Sequence, residues 1–140
     1  MIDHIEVADE LADLALFADL APAQRQGVAH LFDERWFAPG ERILRQGLTG
    51  SGFFVILSGE VAVRYDGTEI ARLGRGQYFG EVSALLQEPP SADVVGLGPV
   101  RCLHLAAAEL RDFLIAYPAV LYRVLLEQAR RTRIANQSRG

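Results

Sequence analysis

Phe53-Phe54-Val55-Ile56-Leu57-Ser58-Gly59-Glu60-Val61 sets the architecture of this chain: an unbroken apolar run that stops at a serine and a glycine. Such a run, too short for a helix and free of polar alternation, predicts a buried strand over Phe53–Leu57. Immediately downstream, Val61, Val63 and Tyr65 alternate with Ala62 and Arg64, the period of a half-exposed strand. Asp66-Gly67 then supplies the dipeptide of a tight hairpin into Thr68–Leu73. Val100–Leu105 predicts a last strand, with Leu103 and Leu105 on one face and His104 directed away from the core.

Glycine punctuates the whole region from Arg35 to Leu105, at Gly40, Gly47, Gly50, Gly52, Gly59, Gly67, Gly74, Gly76, Gly80, Gly96 and Gly98. Short strands with regular turn signals predict a mainly β domain, an antiparallel β-roll or jelly-roll barrel. The flanks read differently. Ile2, Ile5, Ala8, Ala12 and Ala15 recur at helical spacing, and Pro22 suits a first helical position ahead of a Val28, Leu31, Phe32 stripe. Leu16-Phe17-Ala18-Asp19-Leu20 lies between these helices and is expected to pack on the body of the domain.

After Leu105, Leu110, Phe113 and Leu114 form a helical stripe that ends at Tyr117-Pro118, because the residue before proline is pushed out of helix. A second C-terminal helix carries Leu121, Val124, Leu125 and Ala129 on one face and ends basic, at Arg130, Arg131 and Arg133. Asn136–Gly140 is expected to fray. The predicted plan is one domain over residues 1–140: N-terminal helices in 1–33, the β-roll in 34–105 and two C-terminal helices in 106–140.

Composition narrows the function. At 140 residues, half of them hydrophobic and 23% charged, the chain supports one folded core. A net charge of −4 argues against direct nucleic-acid binding, which needs a basic surface. No apolar run approaches the roughly 20 residues that span a bilayer. The start, Met1-Ile2-Asp3-His4-Ile5, lacks the features of a secretory signal, so a cytoplasmic protein is expected.

The order of motifs resembles the cyclic nucleotide-binding domain family, of the catabolite activator and protein kinase A regulatory type. The resemblance rests on Phe37-Ala38-Pro39-Gly40-Glu41, Arg45-Gln46-Gly47, the Phe53–Val61 run, and Leu73-Gly74-Arg75-Gly76-Gln77-Tyr78-Phe79-Gly80-Glu81-Val82-Ser83-Ala84-Leu85-Leu86. It implies a non-catalytic sensor or regulatory module with a phosphate-binding cassette over residues 79–94. In the family a short cassette helix offers backbone N–H groups to the cyclic phosphate, the glutamate accepts the ribose 2′-hydroxyl, and an arginine pairs with a phosphate oxygen. A hydrophobic residue of the last helix often covers the base. Carried over, the implied ligand-binding residues are Phe79, Gly80, Glu81, Val82, Ser91 and Ala92, and the implied ligand is cAMP or cGMP. For Glu81 two roles stay open, a pocket carboxylate or a simple helix cap.

Two residues depart from the pattern. Pro90 stands where the family has its arginine, and Asp93 where it has threonine. Losing one charge-assisted hydrogen bond removes roughly 1.5–3 kcal/mol, about 10- to 100-fold in affinity. Asp93 adds repulsion on the order of 4 kcal/mol if it faces the phosphate at about 4 Å, and nothing if it points outward. Arg72, Arg75 and Arg101 are the candidates to replace the missing cation; otherwise they are solvated surface residues. Weak or no conventional cAMP or cGMP binding is expected.

Competing chemistries lack residues. His4, His30 and His104 fall on different predicted elements, so no metal site is expected. Gly50-Ser51-Gly52 does not fit a nucleophile elbow, and Gly74-Arg75-Gly76 lacks the later glycine of a dinucleotide fingerprint. Cys102, the only cysteine, reads as a small buried hydrophobe. No catalytic residues and no bound cofactor are expected. The sequence stops at Gly140, too early for a DNA-reading helix-turn-helix, and the Met1 start with the expected frayed end favours a short standalone protein over a fragment of a larger regulator. The alternative function is a pseudo-sensor: a protein-interaction or homodimerisation unit working through Leu121, Val124 and Leu125, with a protein partner the sequence does not name.

Overall fold

The structure, a computed structural model, describes residues 4–48 and 52–138. The apolar run forms strand β3 (Gly52–Ser58), and its alternation explains why no polar residue interrupts it. Phe53, Val55 and Leu57 enter one core shared with the helices, while Phe54 and Ile56 enter a second core inside the roll. Successive side chains of a strand point to opposite faces, so covering both faces demands an apolar residue at every position.

The remaining strands are β1 (Asp33–Phe37), β2 (Arg42–Leu44), β4 (Val61–Tyr65), β5 (Thr68–Leu73), β6 (Tyr78–Phe79), β7 (Asp93–Gly96) and β8 (Val100–Ala106). They make two antiparallel sheets, ordered β1-β8-β3-β6 and β2-β7-β4-β5. This is the expected antiparallel β-roll. Asp66 and Gly67 both take positive φ, 50° and 82°, as the two-residue hairpin between β4 and β5 requires.

Helices α1 (His4–Leu11) and α2 (Pro22–Leu31) precede the roll, separated by a 3₁₀ turn (Ala15–Phe17); α3 (Glu81–Leu86) interrupts it, and α4 (Ala107–Ala116) and α5 (Pro118–Ser138) follow. The Gln24 side chain accepts the Ala21 N–H at 2.8 Å and closes the start of α2. Leu16, Phe17 and Leu20 are buried, as are Leu110, Phe113 and Leu114 on α4.

Several expectations shift. The N-terminal core face is Val7, Ala8, Leu11 and Leu14, with Ala12 and Ala15 exposed. Larger aliphatic side chains gain more from burial than alanine and so set the rotation of the segment. On α2, Val28 and Ala29 are buried and Leu31 is exposed, because Phe32, just past its end, takes the core slot between Phe53 and Phe113. His104 faces away from Leu103 and Leu105 yet is only 8% exposed. The opposite face of β8 looks into the roll, where His104 packs on Phe54 at 4.9 Å. On α5, Val120 and Val124 are buried while Leu121, Leu125 and Ala129 are exposed. The helix presents its β-branched residues to the domain. Asn136–Ser138 continue α5 instead of fraying. Ile2, Gly50, Ser51, Arg139 and the side chains of His4 and Ile5 lie outside the described residues.

Candidate functional site

The site grows from the junction of β6 and α3. Gly80 holds φ at +88°, and a Cβ there would overlap the Gly52 carbonyl oxygen. Only glycine permits both this conformation and this approach. Gly80 is also the N-cap of α3, and no side chain caps that helix. Glu81 is therefore not a helix cap; its carboxylate turns inward and the residue is 5% exposed.

Phe79, Gly80, Glu81, Val82, Ser91 and Ala92 all line one cavity of about 140 Å³. The structure thus brings together the six residues that the resemblance implies as ligand-binding. Pro90 and Arg131 line it too. Asp93 does not. Its Oδ1 accepts the Gln46 N–H at 2.7 Å, and the Gly47 N–H donates to the Pro90 carbonyl at 2.9 Å. Asp93 therefore ties the β2–β3 loop to the end of the cassette, and the repulsive term for an inward carboxylate disappears.

None of the three candidate arginines reaches the cavity. Arg72 pairs with Glu69 at 2.9 Å, and Arg75 donates to the Leu57 carbonyl at 2.7 Å. Arg101 is held by Glu10 at 2.9 Å and by Glu34, at 18% side-chain exposure, so it is not a solvated residue either. Among the described residues, the cation that lines the cavity is Arg131, from α5. Its Nη1 lies 3.3 Å from Glu81 Oε2 and its Nη2 donates to the Tyr78 carbonyl at 2.7 Å. The guanidinium also sits 4.5 Å from the centre of the Tyr78 ring.

Gln128 completes the contact. Its Nε2 donates to Glu81 Oε2 at 2.9 Å and to the Tyr78 hydroxyl at 3.0 Å, and that hydroxyl donates to the Val124 carbonyl at 3.0 Å. Burial pushes the Tyr78 phenol up to about 12, with the Arg131 charge pulling the other way. Sequence reasoning missed Gln128 and Arg131. The available signal was their spacing, since Val124, Gln128 and Arg131 stand at i, i+4 and i+7 on one helix face.

Among the described residues, no group of three or more His, Cys, Asp or Glu could hold a metal ion, and no helix is long and apolar enough to cross a membrane. Cys102 is buried, and burial pushes its thiol up to about 12. It is no nucleophile in this state.

Residues 34–117 match the family model described as cyclic nucleotide-binding domain. The chain belongs to the cyclic nucleotide-binding domain family. Domains of this family are regulatory and non-catalytic. Among solved structures, this domain is similar to the catabolite activator protein of Thermus thermophilus at 30% identity and a TM-score of 0.77, covering 88% of this chain and 60% of that one. It is similar to a triple mutant of the regulatory subunit of a cAMP-independent protein kinase A from Trypanosoma brucei, bound to cAMP in the A site. That match has 24% identity and a TM-score of 0.78, covering 97% of this chain and 51% of that one. The corresponding Trypanosoma cruzi subunit, bound to guanosine, matches at 22% identity and a TM-score of 0.70, over 90% of this chain and 50% of that one. The chain thus spans from half to three-fifths of these relatives' length.

Proposed function

We propose that this domain is a regulatory sensor whose cavity takes a ribose-bearing ligand on Glu81, with weak or no conventional binding of cAMP or cGMP. One observation carries the reading. The Glu81 carboxylate is buried at the mouth of the cassette, beside Ser91, Ala92 and Pro90, and by the motif resemblance Pro90 stands where the family has its arginine. A ribose diol needs the carboxylate; a cyclic phosphate needs the missing cation. A neutral nucleoside makes the first demand without the second. The guanosine-bound T. cruzi structure supports this choice of ligand class, and one substitution in the cAMP-bound T. brucei mutant introduces an arginine.

Calorimetric titration with guanosine, 2′-deoxyguanosine, cAMP and cGMP tests the proposal. Guanosine should bind more tightly than its deoxy analogue, and Glu81→Ala should abolish the difference. Pro90→Arg should raise cAMP affinity about 10- to 100-fold, the worth of one charge-assisted hydrogen bond. Nucleoside binding that ignores both Glu81→Ala and the 2′-hydroxyl refutes the reading.

A second reading has its own observation. Leu121 and Leu125 are 42% and 62% exposed on α5, leaving an apolar stripe uncovered by the chain's own roll. A pseudo-sensor that dimerises through this helix fits that stripe. Sedimentation would then show a concentration-dependent dimer that Leu125→Glu disrupts.

A further inference from the structure

We infer that the outer edge of β5 is a docking site for a second copy of this chain, the two strands pairing antiparallel about a two-fold axis between Ile70 and Ala71. The pairing needs neither the cassette nor α5, so it stands apart from both readings above.

Among the described residues, β1, β6, β2 and β5 end the two sheets, and β5 is the longest of them at six residues. It pairs with β4 on one side, and Thr68 through Arg72 are all exposed, so no described element covers the other side. Such an edge offers a row of backbone N–H and C=O groups to another strand. Beside it, Tyr65 and Ile70 are 53% and 61% exposed, apolar area that the chain's own fold leaves in solvent.

Charge complementarity names the occupant. Val63 pairs with Ala71 but Arg64 with Glu69, so Ile70 is the extra residue of a bulge. Residues three apart in a regular strand point to opposite faces. The bulge turns Glu69 and Arg72 to the same face, where they form an ion pair at 2.9 Å. An axis between Ile70 and Ala71 then sets Glu69 of each copy opposite Arg72 of the other, with Ile70 opposite Ala71. Two cross-strand pairs of opposite sign result, and no like charges meet. Moving the axis onto Ile70 or Ala71 would set both charges against neutral residues. Charges and bulges ordinarily blunt an edge against association; here the two signs sit where a two-fold axis matches them.

Analytical ultracentrifugation of the full chain tests the edge, at up to about 1 mM because so short an interface associates weakly. A concentration-dependent dimer should form that Leu125→Glu leaves intact. Glu69→Arg alone sets arginine against arginine across the strands, and Arg72→Glu alone sets glutamate against glutamate. Each should weaken self-association about tenfold or more. An equimolar mixture of the two variants should restore association, because every cross-strand pair is again of opposite sign. Both positions are exposed, and a melting curve checks that each variant folds. A wild type that stays monomeric throughout overturns the inference. A dimer that Leu125→Glu abolishes also overturns it and assigns the interface to α5. Single variants that are weakened but not rescued in the mixture overturn it too, since the charges then act within one chain through the Glu69–Arg72 ion pair.

Discussion

Asp93→Ala separates two accounts of the cassette. By position, its carboxylate opposes a ligand phosphate; by geometry, it accepts the Gln46 N–H at 2.7 Å. The same loop is anchored twice more. Gly47 N–H donates to the Pro90 carbonyl, and the Gln46 side chain bonds Asp66 at the tip of the β4–β5 hairpin, at 2.8 and 3.0 Å. Asp93 is thus one brace in a set joining loop, cassette and hairpin. Removing its charge-assisted bond costs roughly 1.5–3 kcal/mol when the partner stays buried. Asp93 is half-buried and water can replace part of the bond, so about 1–2 kcal/mol is expected. For a domain of this size that lowers Tm by roughly 3–8 °C. Ligand affinity should hardly move, because Asp93 does not line the cavity. The assay is a thermal melt paired with cAMP titration, both in the Pro90→Arg background where binding is readable. An affinity gain of about tenfold with an unchanged Tm would refute the reasoning and return the carboxylate to the phosphate side.

Two other outcomes follow from buried groups. Gly80→Ala forces a left-handed residue and an overlap with the Gly52 carbonyl, so a loss of about 3 kcal/mol or more is expected by denaturant titration. Alkaline stability tests Cys102: its unfolded thiol ionises from about 9.0, whereas the folded one keeps its proton to about 12. The folded state therefore holds the extra proton in that window, and stability falls as pH rises from 9 toward 12, by on the order of 4 kcal/mol in full. Tyr78 steepens the same limb above pH 10. Cys102→Ala should remove the thiol's share, and a variant that loses stability as steeply as the wild type above pH 9 would show the thiol to be accessible.

The site was legible only in part. Phe79 to Val82, Ser91 and Ala92 follow one another along the cassette that the family resemblance implies, so the resemblance placed them together. Arg131 and Gln128 come from a helix some fifty residues later in the chain, at 50 and 47 positions from Glu81. Their basic and polar types read equally well as a solvated helix end. On α5 the spacing grouped Val124 with Leu121, Leu125 and Ala129, whereas packing against the 3₁₀ turn and Tyr78 buries Val120 and Val124 and leaves the other three exposed.

What the sequence determined by itself is the β-roll and its cassette. Strand period, the Asp66-Gly67 hairpin dipeptide and the positive φ of Gly80 are local constraints, acting between residues close in the chain. The unbroken run from Phe53 to Leu57 announced a strand buried on both faces, which alternation then divided between two cores. Only the tertiary structure decided who satisfies Glu81, where Asp93 turns, and which side of α5 meets solvent. Each of those depends on how a buried charge finds a partner across the fold, and that choice is made by three-dimensional proximity, which a one-dimensional pattern does not encode.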